Sequence, residues 1–144
     1  MPEIQKFIED HGYPCEDHEY TTEDGYTNRI LRIPGHDKEE FEKLGKRSKG
    51  RGRPVVIYQH GLTDSGFGLI ADRYNSLGFK LVNMGFDLWL HNSRGNRYSN
   101  AHKDLEAPID AIETDTKKEQ NDKYWDFSFS EMAKYDQPAL WKYV

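Results

Sequence analysis

The residues best suited to chemistry are the small and polar ones that directly follow an apolar run. Val55–Tyr58 is a continuous β-branched and aromatic stretch, which is typical of a strand buried on both faces. The pair His60-Gly61 comes immediately after it. A loop at the carboxyl end of a parallel strand is where α/β folds build their sites, and glycine allows a tight turn there. We therefore expect this loop to aim a backbone N–H into a crevice.

The elements that precede the loop can be predicted from periodicity and turn signals. Apolar residues at helical spacing, followed by Gly12 and Pro14, predict an opening helix over 3–10. Two strand-like runs, about 17–22 and 28–33, are joined by a segment that contains Asp-Gly. Because Asp-Gly is a strong hairpin signal, these runs predict an antiparallel β-hairpin.

The elements that follow the loop complete an α/β pattern. A helical stretch over 69–84 leads to a second apolar run at 86–90. Strand, loop, helix and strand form a βαβ unit, whose crossover implies a parallel sheet with helices packed on it. Near the end, Ser128 and Glu131 have the spacing of a capping box, so a helix should begin there, with a kink at Pro138.

Composition favours one small domain, or one piece of a larger one. The chain has 144 residues, a net charge of −5 and 13% aromatic residues. The aromatic content argues against disorder, and the acidic balance argues against nucleic acid or an anionic membrane as a partner. Two polar segments, a charged loop at 36–53 and a loop insertion at 103–123, are predicted to lie on the surface. The basic residues at 46–53 are interpreted as solvated, with an acidic partner as the alternative.

Metal, redox and membrane functions are not expected. Cys15 is the only cysteine and has no partner for a disulfide. The histidines lack the paired spacing of a metal site, so we predict neither a metal nor a cofactor. The first residues do not resemble a signal peptide, no run approaches the roughly 18 apolar residues of a membrane span, and no glycosylation sequon occurs. As the sequence stands, these features favour the cytoplasm.

Four motifs, in the same order along the chain, resemble those of the acid lipase family, which includes gastric lipase and lysosomal acid lipase. The resemblance covers the chain from about Ile4 to Val144, with looser stretches at 36–52 and 104–123. The motifs lie at Gly12–His18 together with Asp24–Tyr26, at Arg53–Leu62, at Gly85–Asn96 and at Trp125–Asp136.

This resemblance implies the N-terminal part of an α/β-hydrolase fold, with a β-hairpin followed by a βαβ unit of a mostly parallel sheet. It implies hydrolysis of neutral lipid esters, triacylglycerols or sterol esters, by a Ser-Asp-His triad. By the same resemblance, the backbone N–H of Leu62 is one of two oxyanion-hole donors, and His60 and Gly61 shape its loop. A fixed donor of this kind contributes about 3–4 kcal/mol in favourable cases.

The nucleophile of such an enzyme is absent from these 144 residues, because Gly-x-Ser-x-Gly does not occur. In this fold the triad follows the order Ser, acid, His, so the nucleophile elbow is expected after the helix near Ser128. We therefore predict that the chain is inactive alone. Ser65, Ser93 and Ser128 are interpreted as capping or loop residues.

The residues after the second parallel strand have two interpretations. Asn92, Ser93 and Arg94 are possible pocket-rim residues; the alternative, which we favour, is a hydrogen-bonded turn in which Arg94 pairs with an acid. Four aromatic side chains also have two interpretations, an acyl pocket or, more usually, plain core. They are Trp89, Trp125, Phe127 and Phe129.

Two function hypotheses follow. In the first, the chain is the N-terminal portion of an acid-lipase-like serine ester hydrolase and acts on a neutral lipid ester once a C-terminal part completes it. In the alternative, it is a non-catalytic, hydrolase-derived subunit that binds lipid or protein, with a partner covering the sheet edge that the missing elbow strand leaves open. The family resemblance implies a secreted or lysosomal protein, whereas the other sequence features favour the cytoplasm.

Overall fold

A computed structural model describes residues 2–35, 52–105 and 122–144. Most of the two predicted polar loops, including the basic residues from Lys46 to Arg51, lies outside these ranges. The chain divides into two compact units: Met1–His18 with Ile30–His91, and Glu19–Arg29 with Asn92–Val144. Within the described ranges, no helix has the length and apolarity needed to cross a membrane.

The first unit opens with helix α1 (Pro2–Asp10), as predicted. Its buried face carries Ile4 and Ile8, which are almost completely shielded from solvent. The helix ends where Gly12 adopts a φ of +85° and its amide donates to a carbonyl of the last turn. Glycine takes this left-handed conformation without a steric penalty, which explains why the helix stops there.

The predicted hairpin is present, with strands β1 (Glu16–Thr21) and β2 (Tyr26–Ile33). The Thr22 amide donates to the carbonyl of Tyr26 at 2.8 Å, which closes the turn. Gly25 has a φ of +100°, and a Cβ atom there would come within 2.8 Å of a neighbouring imidazole. The turn therefore requires glycine for both conformation and space.

The βαβ prediction is also confirmed. Strands β3 (Val55–Tyr58) and β4 (Asp87–Asn92) pair in parallel, and α2 (Leu77–Asn83) lies between them in sequence. Within the described residues the strand order is β1-β2-β4-β3. In the second unit, a short strand that the sequence did not reveal, β5 (Ala101–His102), pairs antiparallel with β2.

The prediction that Val55–Tyr58 is buried on both faces is wrong. Val55 is 51% exposed, and the next three residues of β3 are only partly buried. β3 lies at the end of the strand order, so β4 is its only neighbour in the described part of the chain. The central strand β4 is the buried one, since all six of its residues are shielded from solvent.

The single helix predicted over 69–84 is instead three short pieces. Two 3-10 turns, Gly66–Leu69 and Arg73–Asn75, precede α2. Arg73, the first residue of the second turn, has a φ of +50°, outside the right-handed helical region, so the segments on either side of it cannot form one continuous helix. The Ser76 side chain then accepts from the amide three residues later and caps the start of α2. Apolar periodicity alone did not reveal these two local signals.

The second unit ends in three consecutive helical segments. Helix α3 (Phe129–Glu131) begins with the predicted capping box, in which the Ser128 and Glu131 side chains bond the opposite backbone amides. A π-helical turn, Met132–Asp136, follows, and then α4 (Gln137–Tyr143). The irregularity lies just before Pro138, which occupies the first turn of α4, where proline is tolerated.

Candidate functional site

The loop after β3 presents a main-chain donor. The side chain of Leu62 is 74% exposed, and its amide has no acceptor among the residues that the structure describes. The turn is closed just beyond it, where the Asp64 amide donates to the carbonyl of Gly61 at 3.1 Å. A Cβ atom on Gly61 would meet no atom of the described residues within 4 Å, so these residues leave space beside the loop.

The His60 ring contacts the peptide group that contains this amide. The imidazole is 7% exposed, and its Nδ1 lies 2.6 Å from the carbonyl oxygen of Gly61. A carbonyl oxygen only accepts, so Nδ1 carries the hydrogen and donates it. The Gly61 carbonyl and the Leu62 N–H belong to one planar trans peptide and point in opposite directions. By holding the carbonyl, His60 fixes the direction of the N–H.

Two more side chains meet at the base of the loop. His91, on β4, places Nδ1 2.5 Å from Oε1 of Gln59. The Gln59 Nε2 donates to the carbonyl of His60 at 3.1 Å. Burial, helped by the neighbouring His60 ring 6.4 Å away, lowers the pKa of His91 to about 3. The His91 imidazole is therefore uncharged over the ordinary pH range.

In the second unit, Asn92, Ser93 and Arg94 are all buried. The predicted pairing of Arg94 with an acid is present, and it involves two carboxylates. Its guanidinium donates to Asp24, in the hairpin turn, at 2.6 and 2.8 Å, and to Asp136, in the π-helical turn, at 2.7 and 3.0 Å. The pocket-rim role of these three residues stays a prediction.

The environment of Arg94 favours its charged form. Its guanidinium carbon lies 3.9 Å from the ring centre of Tyr26. Burial alone would lower the pKa of Arg94, but the hydrogen bonds to the two carboxylates raise it overall. Burial raises the pKa of Asp136, whereas the Arg94 hydrogen bonds outweigh burial at Asp24 and lower its pKa. The cluster thus joins the hairpin turn to the π-helical turn, and every guanidinium nitrogen of Arg94 donates to a carboxylate.

The serines take the predicted structural roles where the structure tests them. Ser65 accepts from an amide of the Gly66–Leu69 turn, and Ser128 caps α3. Ser93 is a buried loop residue whose carbonyl accepts from the Asn96 amide. None of the three therefore shows the position of a nucleophile at a sharp strand-to-helix turn.

The four aromatic side chains divide between core and surface. Trp89 is buried and Phe127 is partly buried, in agreement with a core role. Trp125 is 46% exposed and Phe129 is 74% exposed, so the core interpretation is wrong for these two. Phe129 is the first residue of α3, in which no residue is buried; the buried residues Asp136 and Leu140 lie in the π-helical turn and in α4.

The sequence did not reveal one buried charged group. Arg32 donates to both carboxylate oxygens of Asp87 at 2.8–3.2 Å and to Glu16 at 3.2 Å, and His18 bonds the same Glu16 oxygen at 2.8 Å. These residues lie far apart in sequence, so spacing could not reveal them. The available signal was an arginine between the apolar residues of β2. Among the described residues, no three His, Cys, Asp or Glu side chains are grouped to hold a metal ion.

Comparison with known proteins shows similarity to lipases. Residues 4–71 match the family described as the partial alpha/beta-hydrolase lipase region. The chain is 43% identical over 142 residues to gastric triacylglycerol lipase of Rattus norvegicus, covering 98% of this chain and 31% of that protein. It is 41% identical over 142 residues to lipase member M of Homo sapiens, covering 98% and 29%. It is 43% identical over 134 residues to human lipase member N, covering 92% and 29%.

The chain thus spans about a third of the length of these curated relatives. The strand order, the parallel β3–β4 pair and the loop that follows β3 agree with the family match. The chain therefore resembles the N-terminal portion of acid lipase family members, and its residues 4–71 match the partial alpha/beta-hydrolase lipase region.

Proposed function

We propose that the chain is the oxyanion-stabilising portion of a carboxylic ester hydrolase that acts on neutral lipid esters. The observation that carries the proposal is the Leu62 amide: its peptide plane is held from the opposite side by His60, and no described residue accepts its hydrogen. The names of the similar proteins, among them a triacylglycerol lipase, support the reaction class.

The chemistry of the loop follows from the charge that ester hydrolysis creates. Attack on the ester carbon moves the carbonyl electrons onto oxygen, and the Leu62 N–H donates a hydrogen bond to that oxygen. The bond strengthens as the negative charge grows, so it stabilises the transition state more than the substrate. Loss of one such donor lowers kcat by about 10²–10³-fold in hydrolases. The donor is main chain, so the leucine side chain itself is dispensable.

The attacking serine has to come from outside these 144 residues, because they contain no Gly-x-Ser-x-Gly. We expect the isolated chain to remain unlabelled by a fluorophosphonate probe and to leave a short-chain p-nitrophenyl ester intact. Labelling of any of its serines would overturn this part of the proposal.

A chimera tests whether the chain can serve an active hydrolase. In it, this chain replaces the matching segment of the rat gastric triacylglycerol lipase, to which it is 43% identical. We expect the chimera to hydrolyse an emulsified triacylglycerol, with the unaltered rat protein as the positive control. A chimera that melts cooperatively yet hydrolyses no ester would contradict the proposal.

The non-catalytic alternative is supported by the edge position of β3 within the described residues. Val55 is 51% exposed at an edge that β4 does not cover, and such edges pair readily with other chains. If the alternative holds, the isolated chain should bind a lipid emulsion or a protein partner tightly, while the folded chimera stays inactive. An active chimera would favour the first function.

A further inference from the structure

Gln59 and His91 contact one another at the base of the loop that carries the Leu62 amide. The β3–β4 register ends with Tyr58 opposite Leu90, so Gln59 and His91 are the next pair beyond the ladder. Gln59 contacts both the His91 ring and the carbonyl of His60. These contacts connect the rigid, buried strand β4 to the exposed loop.

The donor and the acceptor in each of the two Gln59 contacts can be assigned, because the His60 carbonyl can only accept. The His60 carbonyl only accepts, so the atom of Gln59 that lies 3.1 Å from it must be the amide nitrogen. The other end of the carboxamide is then oxygen, which only accepts, and it lies 2.5 Å from Nδ1 of His91. His91 is therefore the tautomer with hydrogen on Nδ1.

The two peptide groups that precede Leu62 each have a carbonyl that accepts a side-chain hydrogen bond. Gln59 holds the carbonyl of the His60–Gly61 peptide, and the His60 ring holds the carbonyl of the Gly61–Leu62 peptide. We propose that Gln59 and His91 are positioning residues that fix the direction of the Leu62 N–H. The proposal deepens the function above and rests on it for its catalytic consequence, but the geometry can be measured without activity.

Nuclear magnetic resonance of the full 144-residue chain tests the arrangement. We expect the ring nitrogens of His91 to show the Nδ1–H tautomer and no titration between about pH 4 and 8, although an ordinary histidine titrates near 6.5. In Gln59→Glu the new carboxylate should raise the pKa of His91 into that range. An Nε2–H tautomer, or a wild-type His91 that titrates near its ordinary value, would overturn the proposal.

Loop order supplies the second measurement, through hydrogen exchange of the Asp64 amide, which donates to Gly61. Gln59→Leu and His91→Leu should each speed this exchange by about 10-fold or more, because the loop loses its support. His91→Asn retains a donor near the Nδ1 position and should restore nearly wild-type exchange. Gln5→Leu is the matched control, since Gln5 bonds Glu9 on α1 instead. Equal exchange in His91→Leu and wild type would contradict the positioning role.

The chimera separates this inference from the proposed function. Gln59→Leu should lower kcat by about 10-fold or more with little change in KM, because the donor matters mainly in the transition state. If the unmutated chimera is inactive while the resonance and exchange results hold, the proposed function fails and the positioning of the amide stands. If the chimera is active and Gln59→Leu leaves kcat unchanged, the positioning role fails and the function stands.

Discussion

At the scale of single residues, the two units use charge in opposite ways. The loop after β3 is held by hydrogen bonds of His60, Gln59 and the uncharged His91, and no described residue accepts the Leu62 N–H. In the second unit Arg94 is completely buried and fully charged, and two carboxylates satisfy it. Hydrogen bonds without an ion pair suit the proposed site, where charge would appear only during reaction, whereas the ionic group suits a permanent connection.

The Arg94 cluster should be a major contribution to stability. Arg94→Met leaves two carboxylates without their partner, and we expect the free energy of unfolding to fall by about 3–5 kcal/mol. Arg94→Lys should still lose about 2 kcal/mol or more, because an ammonium cannot form both two-pronged contacts. Urea denaturation measures both. Lys103→Met, which removes an exposed pair with Asp104, is the control and should change stability by less than about 1 kcal/mol.

Glu16 should make the stability of the chain depend on pH. Burial alone would raise its pKa, but the His18 hydrogen bond and the Arg32 guanidinium lower it below the ordinary 4.5. A lowered folded-state pKa means that the contribution is complete above 4.5 and is lost as the pH falls through the lowered value. Glu16→Gln should therefore cost about 1–2 kcal/mol at pH 7 and progressively less in acid.

The control for this measurement is Glu19→Gln, since Glu19 forms a pair with Arg29 that is half exposed. Its effect should stay below about 1 kcal/mol at every pH. A Glu16→Gln variant whose stability difference from wild type is the same at pH 7 and in acid would show that the ionised carboxylate is not what stabilises this group.

At the scale of elements, β3 is both the support of the loop and an open edge. The Asp87 amide donates to the carbonyl of Pro54, and residues of a parallel strand face alternate neighbours. The backbone groups of Val55 therefore point away from β4. We expect concentrated chain to self-associate through this edge, and Val55→Lys to weaken the association by adding charge there.

Sedimentation velocity measures the association, and Val55→Thr is the matched control, because it keeps a β-branched residue at the edge. The two variants should differ in how strongly they self-associate, while their melting temperatures remain similar. If Val55→Lys and Val55→Thr associate to the same extent, the edge is not the contact surface.

The elements that the sequence predicted well are those with local signals. The Gly12 helix end, the Asp-Gly turn and the Ser128 capping box each depend on residues within a few positions of one another. The prediction that β3 is buried on both faces was wrong, because burial depends on which strands pair beside it. Apolar composition contains no information about that pairing. β5 was missed because two residues are too few for a pattern.

At the scale of the whole molecule, the order of the motifs predicted the family and the fold class. The positioning contacts could not be predicted, because the register of β3 and β4 brings Gln59 and His91 together from positions 32 residues apart. The contacts of Arg32 could not be predicted for the same reason, since Asp87 lies 55 residues away in sequence. The sequence predicts a main-chain donor in this loop, and that role stays a prediction, whereas the contacts of Gln59 and His91 required coordinates.

The central claim is that the Leu62 main-chain N–H stabilises the charge that develops during ester hydrolysis, and kcat of the chimera tests it most directly. Leu62→Pro removes the N–H, whereas Leu62→Ala removes most of the side chain and keeps it. We expect kcat to fall about 10²–10³-fold in Leu62→Pro and less than about 3-fold in Leu62→Ala, with both proteins folded by thermal melting. Equal kcat values for the two variants would contradict the claim.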